Sequence, residues 1–109
     1  VVHCVKGTEG WEINEKVKAA LKDAVVIDKP TFGSIYLAEE IAKIAEKEDI
    51  TVTLIGLCTD ICVVSNALLI KAYLPEIPVR VIASCCAGVT TESHEAALAT
   101  MRMCQVQVE

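Results

Sequence analysis

The spacing of apolar residues changes along this chain and predicts strands that alternate with helices. Residues 51–55 alternate as a strand does, and residues 79–84 form a second strand-like run. Residues 35–47 carry an apolar stripe opposite a charged face, which indicates a helix capped by Ser34. Residues 61–74 are apolar almost all round, so they predict a largely buried helix.

Shorter segments extend this alternation toward both ends of the chain. Residues 11–22 predict a short helix, and residues 24–28 predict a short buried strand. A helix over residues 92–103 precedes an edge strand over residues 104–108. The pattern predicts an α/β fold, a three-layer sandwich whose mainly parallel sheet has right-handed crossovers.

Composition limits the domain count and the partners. The chain of 109 residues begins at Val1 and opens like the middle of a domain, so we interpret residues 1–109 as the C-terminal part of a single domain. A net charge of -5 without a basic cluster argues against nucleic acid or an anionic membrane as a partner. The absence of a long apolar run and of a signal-peptide pattern predicts a cytoplasmic protein.

The six cysteines favour reduced thiols over disulfides. Most lie in aliphatic segments of an α/β pattern, whereas disulfide frameworks belong to small loop-rich scaffolds. Their spacing does not match the paired ligands of a structural zinc site. Adjacent Cys85 and Cys86 are expected to pack, with a vicinal disulfide as the alternative.

The candidate chemistry lies in residues 56–64, Gly-Leu-Cys-Thr-Asp-Ile-Cys-Val-Val. This stretch joins a predicted strand to a predicted helix, so Cys62 falls in the first helical turn, with Thr59 or Asp60 as the cap. Unpaired amides at the positive end of the helix dipole favour a thiolate and can hold an oxyanion. From position alone, a packed structural cysteine is the commoner alternative.

Three segments of the sequence read as motifs. Residues 56–64 contain a glycine followed by Thr-Asp-x-Cys-Val, residues 3–10 read His-Cys-Val-Lys-Gly-Thr-Glu-Gly, and residues 27–34 read Ile-Asp-Lys-Pro-Thr-Phe-Gly-Ser. Together they resemble the isochorismatase-like cysteine hydrolases, and the nicotinamidases among them. The resemblance runs from His3 to Val108 and implies the fold of that family in an N-terminally incomplete form.

The resemblance implies catalytic roles. Cys62 would attack a carboxamide carbon, and Lys29 would lie beside it, both facing a shared cavity. The N–H groups of Cys58 and Cys62 would hold the oxyanion, after a cis peptide bond between Leu57 and Cys58. The family's catalytic aspartate would come from a segment upstream of Val1, so we expect the 109 residues alone to be inactive.

The same resemblance implies a metal and a substrate. His3 would be one ligand of a divalent metal, zinc or else iron or manganese, and the other ligands would lie upstream. Val1 and Val2 replace the Trp-Pro that precedes this histidine in the family. The implied reaction converts nicotinamide to nicotinate and ammonia through a thioester on Cys62, in a full-length protein that forms homo-oligomers.

Other interpretations stay open at this point. Another amidase or an isochorismatase-type hydrolase would use the same residues on a different substrate, and a non-catalytic relative would serve in oligomer formation. A thiol redox protein would use Cys58 and Cys62. His94 is a second candidate base, although a helix start also explains it, and Trp11 is either an aromatic wall for a flat substrate or a partly buried core residue.

Overall fold

A computed structural model describes all residues, Val1–Glu109, and contains a three-stranded parallel sheet. Its strands are β1 (Val52–Leu57), β2 (Val79–Ala87) and β3 (Gln107–Val108), adjacent in that order. The pairs β1–β2 and β2–β3 are both parallel. The predicted α/β class with a parallel sheet is therefore confirmed.

Four α-helices accompany the sheet: α1 (Glu15–Ala20), α2 (Ile35–Ala45), α3 (Val64–Tyr73) and α4 (Thr91–Met103). A 3-10 turn over Glu9–Trp11 precedes α1, and a π-helical turn over Thr59–Val63 precedes α3. Because α3 joins β1 to β2 and α4 joins β2 to β3, each parallel pair has a helical crossover. No helix combines the length and the apolar character that a membrane span requires.

Side-chain caps fix the starts of α2 and α4. The Ser34 hydroxyl accepts a hydrogen bond from the Leu37 N–H at 3.0 Å, as the sequence predicts. Thr90 caps α4 through a reciprocal capping box with Ser93, whose N–H lies 3.0 Å from the Thr90 hydroxyl. Each cap satisfies amides that the first helical turn leaves unpaired.

The core lies where α3 packs against α2 and α4, and where α3 and α4 pack against the sheet. Its largest fully buried apolar side chains are Ile70, Leu98, Met101, Val79 and Val81. Alternate residues of β1 point away from this core, and Ile55 and Leu57 are 59% and 70% exposed. Side chains of this chain therefore cover one face of β1 and leave the other open.

Residues 24–28 do not form the predicted strand. They make no backbone pairing with any strand, and Val25 and Val26 are 88% and 70% exposed. The prediction rested on a run of apolar residues, but a strand also needs a neighbour for its backbone N–H and C=O groups. No segment of residues 1–109 lies in that position.

Three predicted boundaries also change. Strand β2 continues to Ala87, beyond the predicted end at residue 84, so Cys85 and Cys86 belong to the strand. Its pairing with β1 jumps from Leu54–Val81 to Gly56–Cys86, a bulge in the register. The edge strand shortens to β3, and the helix predicted from residue 61 begins as a π-helical turn.

Candidate active site

The turn between β1 and α3 presents Cys62. The peptide bond between Leu57 and Cys58 is cis, and the π-helical turn follows at once. The Cys58 carbonyl accepts hydrogen bonds from the N–H groups of Ile61 at 3.1 Å and Val63 at 3.0 Å, which closes the turn. Cys62 lies inside it with its residue partly exposed. Its strand-to-helix location is the one that the sequence predicts.

Lys29 reaches Cys62 from the loop that leads into α2. Its Nζ lies 3.2 Å from Cys62 Sγ and also donates to the Thr31 carbonyl at 3.3 Å. Because Lys29 and Cys62 are 33 positions apart, only the tertiary fold brings them together. An ammonium at this distance stabilises the negative charge of a thiolate, and that of an oxyanion formed beside it.

The backbone N–H of Cys58 has no acceptor within the chain, whereas its carbonyl closes the π-helical turn. An unpaired amide next to a nucleophile is a typical donor to an oxyanion. The Cys58 amide is therefore free to donate a hydrogen bond to a group outside the chain.

Thr59 and Asp60 do not cap their own turn, contrary to the prediction. The turn starts after Cys58 and has no side-chain cap, so both side chains lie within it and point elsewhere. The fully buried Thr59 hydroxyl lies 2.7 Å from His94 Nδ1. Both carboxylate oxygens of Asp60 accept from the Val89 N–H at 3.2 Å. These contacts tie the turn to the first turn of α4 and to the segment that precedes it.

Hydrogen bonding holds the pKa of Asp60 below its usual range. Ser93 is the largest cause, and the Val89 N–H and the charge of His94 act in the same direction. His94 uses Nδ1 for Thr59, while the only hydrogen-bond partner of Cys62 Sγ is Lys29. The arrangement therefore does not pair His94 with Cys62 as a base.

Residues of this chain do not form a complete metal site at His3. The exposed imidazole places Nδ1 2.9 Å from the Val1 carbonyl oxygen, and no group of three or more His, Cys, Asp or Glu side chains gathers in the structure. Zinc sites use three or four such ligands. His3 is at most one of them, so the residues present do not fit a complete site.

A cavity of about 430 Å³ lies beside Lys29. Trp11 lines it, and the Lys6 ammonium lies 5.7 Å from the centroid of that partly buried ring. Cys62 is not among the lining residues, so these residues do not form the shared cavity expected for Lys29 and Cys62. The contact between them is direct.

All six cysteines carry free thiols. Cys85 is exposed on β2, whereas burial raises the pKa of the neighbouring Cys86 thiol above its ordinary value of 9.0. The thiolate is the reactive form of cysteine, so Cys86 is poorly suited to nucleophilic chemistry.

Asn66 contacts the site through three hydrogen bonds to backbone groups, the kind of role that an amide in an apolar helix favours. This nearly buried side chain accepts from the Ser34 N–H at 2.8 Å and donates to the carbonyls of Phe32 at 3.3 Å and Cys62 at 3.0 Å. The only signal in the sequence is an amide within an otherwise apolar helical run.

The sequence model of the isochorismatase domain matches residues 1–109, which is the whole chain. The chain therefore belongs to the isochorismatase family, and the predicted family and its α/β fold are confirmed. None of the curated proteins matches the chain significantly.

Within that family, the chain is similar to solved nicotinamidases. Against nicotinamidase PncA from Bacillus subtilis the identity is 25% and the TM-score 0.80, with 99% of this chain and 62% of that one covered. For the nicotinamidase SaPncA from Staphylococcus aureus the identity is 28% and the TM-score 0.76, with 99% of this chain and 70% of that one covered. For the pyrazinamidase of Pyrococcus horikoshii, solved in complex with zinc, the identity is 23% and the TM-score 0.75, with 99% of this chain and 61% of that one covered. This chain thus spans about 62% of the Bacillus subtilis enzyme.

Proposed function

We propose that the full-length protein hydrolyses a small carboxamide, nicotinamide in the first instance, to the carboxylate and ammonia through a thioester on Cys62. The observation that carries the proposal is the 3.2 Å contact between Lys29 Nζ and Cys62 Sγ at the end of β1. The similarity to nicotinamidases at 25–28% identity supports the choice of substrate.

In the proposed first step, Cys62 Sγ attacks the carboxamide carbon. The new C–S bond pushes the carbonyl electron pair onto oxygen, and the N–H groups of Cys58 and Cys62 hold that oxyanion. The unpaired Cys58 amide supports its part in this role. Lys29 stabilises the thiolate before the attack and the oxyanion after it.

The second half of the reaction needs a proton donor and a water molecule. The C–N bond breaks when the amide nitrogen takes a proton and leaves as ammonia, and water then cleaves the thioester to release the acid and Cys62. We assign both proton transfers to a carboxylate upstream of Val1. Residues 1–109 would then be the C-terminal part of one domain and would be inactive alone.

Ammonia release from nicotinamide by the full-length protein tests the proposal. Cys62→Ala should abolish turnover because the thioester cannot form, whereas Cys85→Ala removes an exposed thiol and should leave turnover unchanged. Mass spectrometry of the quenched reaction should detect the acyl group on Cys62. Turnover that survives Cys62→Ala would refute the mechanism.

Other results would identify a different function. Hydrolysis of other amides but not nicotinamide would indicate a related amidase, and a reversible Cys58–Cys62 disulfide would indicate redox chemistry. A folded protein that releases no ammonia and whose Cys62 resists iodoacetamide at pH 7 would be a non-catalytic relative. Metal content that falls on His3→Ala would support a divalent ion, zinc or else iron or manganese, at that residue.

A further inference from the structure

The loop that carries Lys29 has no backbone attachment to the rest of the chain before α2. Residues 29–33 make no backbone–backbone hydrogen bond, and the first such bond in this region joins Ser34 to Ala38 in α2. The Thr31 hydroxyl bonds the Gly33 carbonyl at 2.7 Å, which is a contact within the loop. The polar contacts that place this loop relative to Cys62 therefore come from side chains.

Asn66 supplies the hydrogen bonds that hold this loop in place. Its Oδ1 accepts from the Ser34 N–H, and its Nδ2 donates to the Phe32 carbonyl. One side chain therefore forms hydrogen bonds with the backbone at two points, in the loop and directly after it. The same Nδ2 donates to the Cys62 carbonyl at 3.0 Å. One nearly buried amide thus joins the backbone of the lysine loop to the backbone of the nucleophile.

The chemistry of the amide suits this connection. Asn offers two N–H donors and one carbonyl acceptor, and here both kinds of group are used. A carboxylate cannot donate, and a hydroxyl is too short to reach three backbone groups in two segments. The only other polar contact from the loop to α3 or to the turn before it is the one between Lys29 and Cys62.

We propose that Asn66 is a positioning residue that sets the distance between Lys29 Nζ and Cys62 Sγ and thereby the reactivity of the thiol. This inference rests on the proposed pairing of Lys29 with Cys62 as the reactive groups. The Lys29 side chain is long and exposed, so its ammonium stays beside the sulfur only while the loop backbone is fixed.

The test is the rate of Cys62 alkylation by iodoacetamide as a function of pH, measured on the full-length protein by mass spectrometry. Asn66→Ala should lower the rate at pH 7 by about tenfold and move the profile to higher pH, because the thiolate loses a fixed ammonium. Ser65→Ala is the matched control. Ser65 is the neighbouring residue on α3 and bonds only the Ile61 carbonyl, so its loss should leave the profile unchanged.

A double substitution separates positioning from simple loss of stability. In a Lys29→Met background the ammonium is gone, so adding Asn66→Ala should lower the alkylation rate no further. An additive loss in the double variant, or a wild-type profile in folded Asn66→Ala, would overturn the proposal. If Asn66→Ala does not fold, Asn66→Ser serves instead, since a serine there can still bond the Cys62 carbonyl one turn back but cannot reach the loop.

Alkylation does not depend on the natural substrate, so this result is independent of the proposed reaction. A protein that fails to hydrolyse nicotinamide but loses Cys62 reactivity on Asn66→Ala would keep the positioning role and lose the function. If the protein hydrolyses nicotinamide and Asn66→Ala leaves the alkylation profile unchanged, the proposed function stands and the positioning role of Asn66 is refuted.

Discussion

Gly88 is the position at which a single methyl group should disturb the fold most directly. A Cβ added there would lie 2.8 Å from His94 Cβ, 3.0 Å from His94 Cα and 3.1 Å from His94 N. These atoms belong to the first turn of α4 and cannot rotate away as the end of a flexible side chain can. The φ angle of Gly88 lies outside the left-handed region, so the effect of Gly88→Ala is steric and not conformational.

The magnitude follows from the displacement that is needed. Ordinary contacts begin near 3.4 Å, so α4 or the segment after β2 must move by roughly 0.6 Å to accept the methyl group. Insertion of a methyl group into a packed position costs about 1–3 kcal/mol in the free energy of unfolding. We expect Gly88→Ala to lower the free energy of unfolding by an amount in that range and to weaken the contact between His94 and Thr59.

Urea unfolding of the full-length protein, followed by circular dichroism, measures this cost from the midpoint and the slope. Gly10→Ala is the matched control, since a Cβ there meets nothing within 4 Å and φ is again outside the left-handed region. It should leave stability unchanged or raise it by about 0.4–1 kcal/mol. If both variants unfold at the same midpoint as the wild type, the steric reasoning is wrong.

Three further experiments test the electrostatics, the thiols and the core. The lowered pKa of Asp60 means that its carboxylate stabilises the fold above pH 3.8, its ordinary pKa. This contribution is lost as the pH falls through the lower pKa of the folded state. The difference in the free energy of unfolding between wild type and Asp60→Asn should therefore shrink from pH 7 to pH 3 in urea unfolding. A constant gap would contradict this. Iodoacetamide at pH 8 should label exposed Cys85 faster than Cys86, whose pKa burial raises, and equal rates would count against that burial. Ile70→Ala should lower the free energy of unfolding by about 2–5 kcal/mol because this side chain is fully buried. Ile44→Ala should lower it far less in the same urea unfolding, since Ile44 is half-exposed.

Local patterns were enough to predict most of the elements. The apolar stripe behind Ser34 predicted α2 with its cap, and the alternation at residues 51–55 predicted β1 to within two residues. Residues 24–28 carry an equally clear apolar run and yet form no strand. The difference is physical, because a helix satisfies its own backbone whereas a strand depends on a neighbour.

The contacts of the candidate site show a second limit of sequence reasoning. Lys29 and Cys62 were predicted to meet only through a family resemblance, since they are 33 residues apart. The hydrogen bond from Asn66 to Phe32 joins residues 34 positions apart, and that between His94 and Thr59 joins residues 35 positions apart. Contacts over such distances produce no periodic pattern in the sequence. An unbroken apolar run also does not distinguish the i→i+5 bonds of a π-helical turn from the i→i+4 bonds of an α-helix.

The turn that presents Cys62 is held from two sides by side chains in or next to the turn itself. Thr59 binds the first turn of α4, Asp60 binds the segment between β2 and α4, and Asn66 binds the loop of Lys29. No residue is shared between the two sets of contacts.

Because the two sets are separate, their effects should be separable. Gly88→Ala disturbs only the first set, so it should lower stability while leaving the pH profile of Cys62 alkylation in place. Asn66→Ala disturbs the second set and should move that profile. In the double variant, the stability losses should add to within about 0.5 kcal/mol. A profile that moves as far in Gly88→Ala as in Asn66→Ala would mean that the turn responds as one unit, and that the ammonium of Lys29 is not what Asn66 controls.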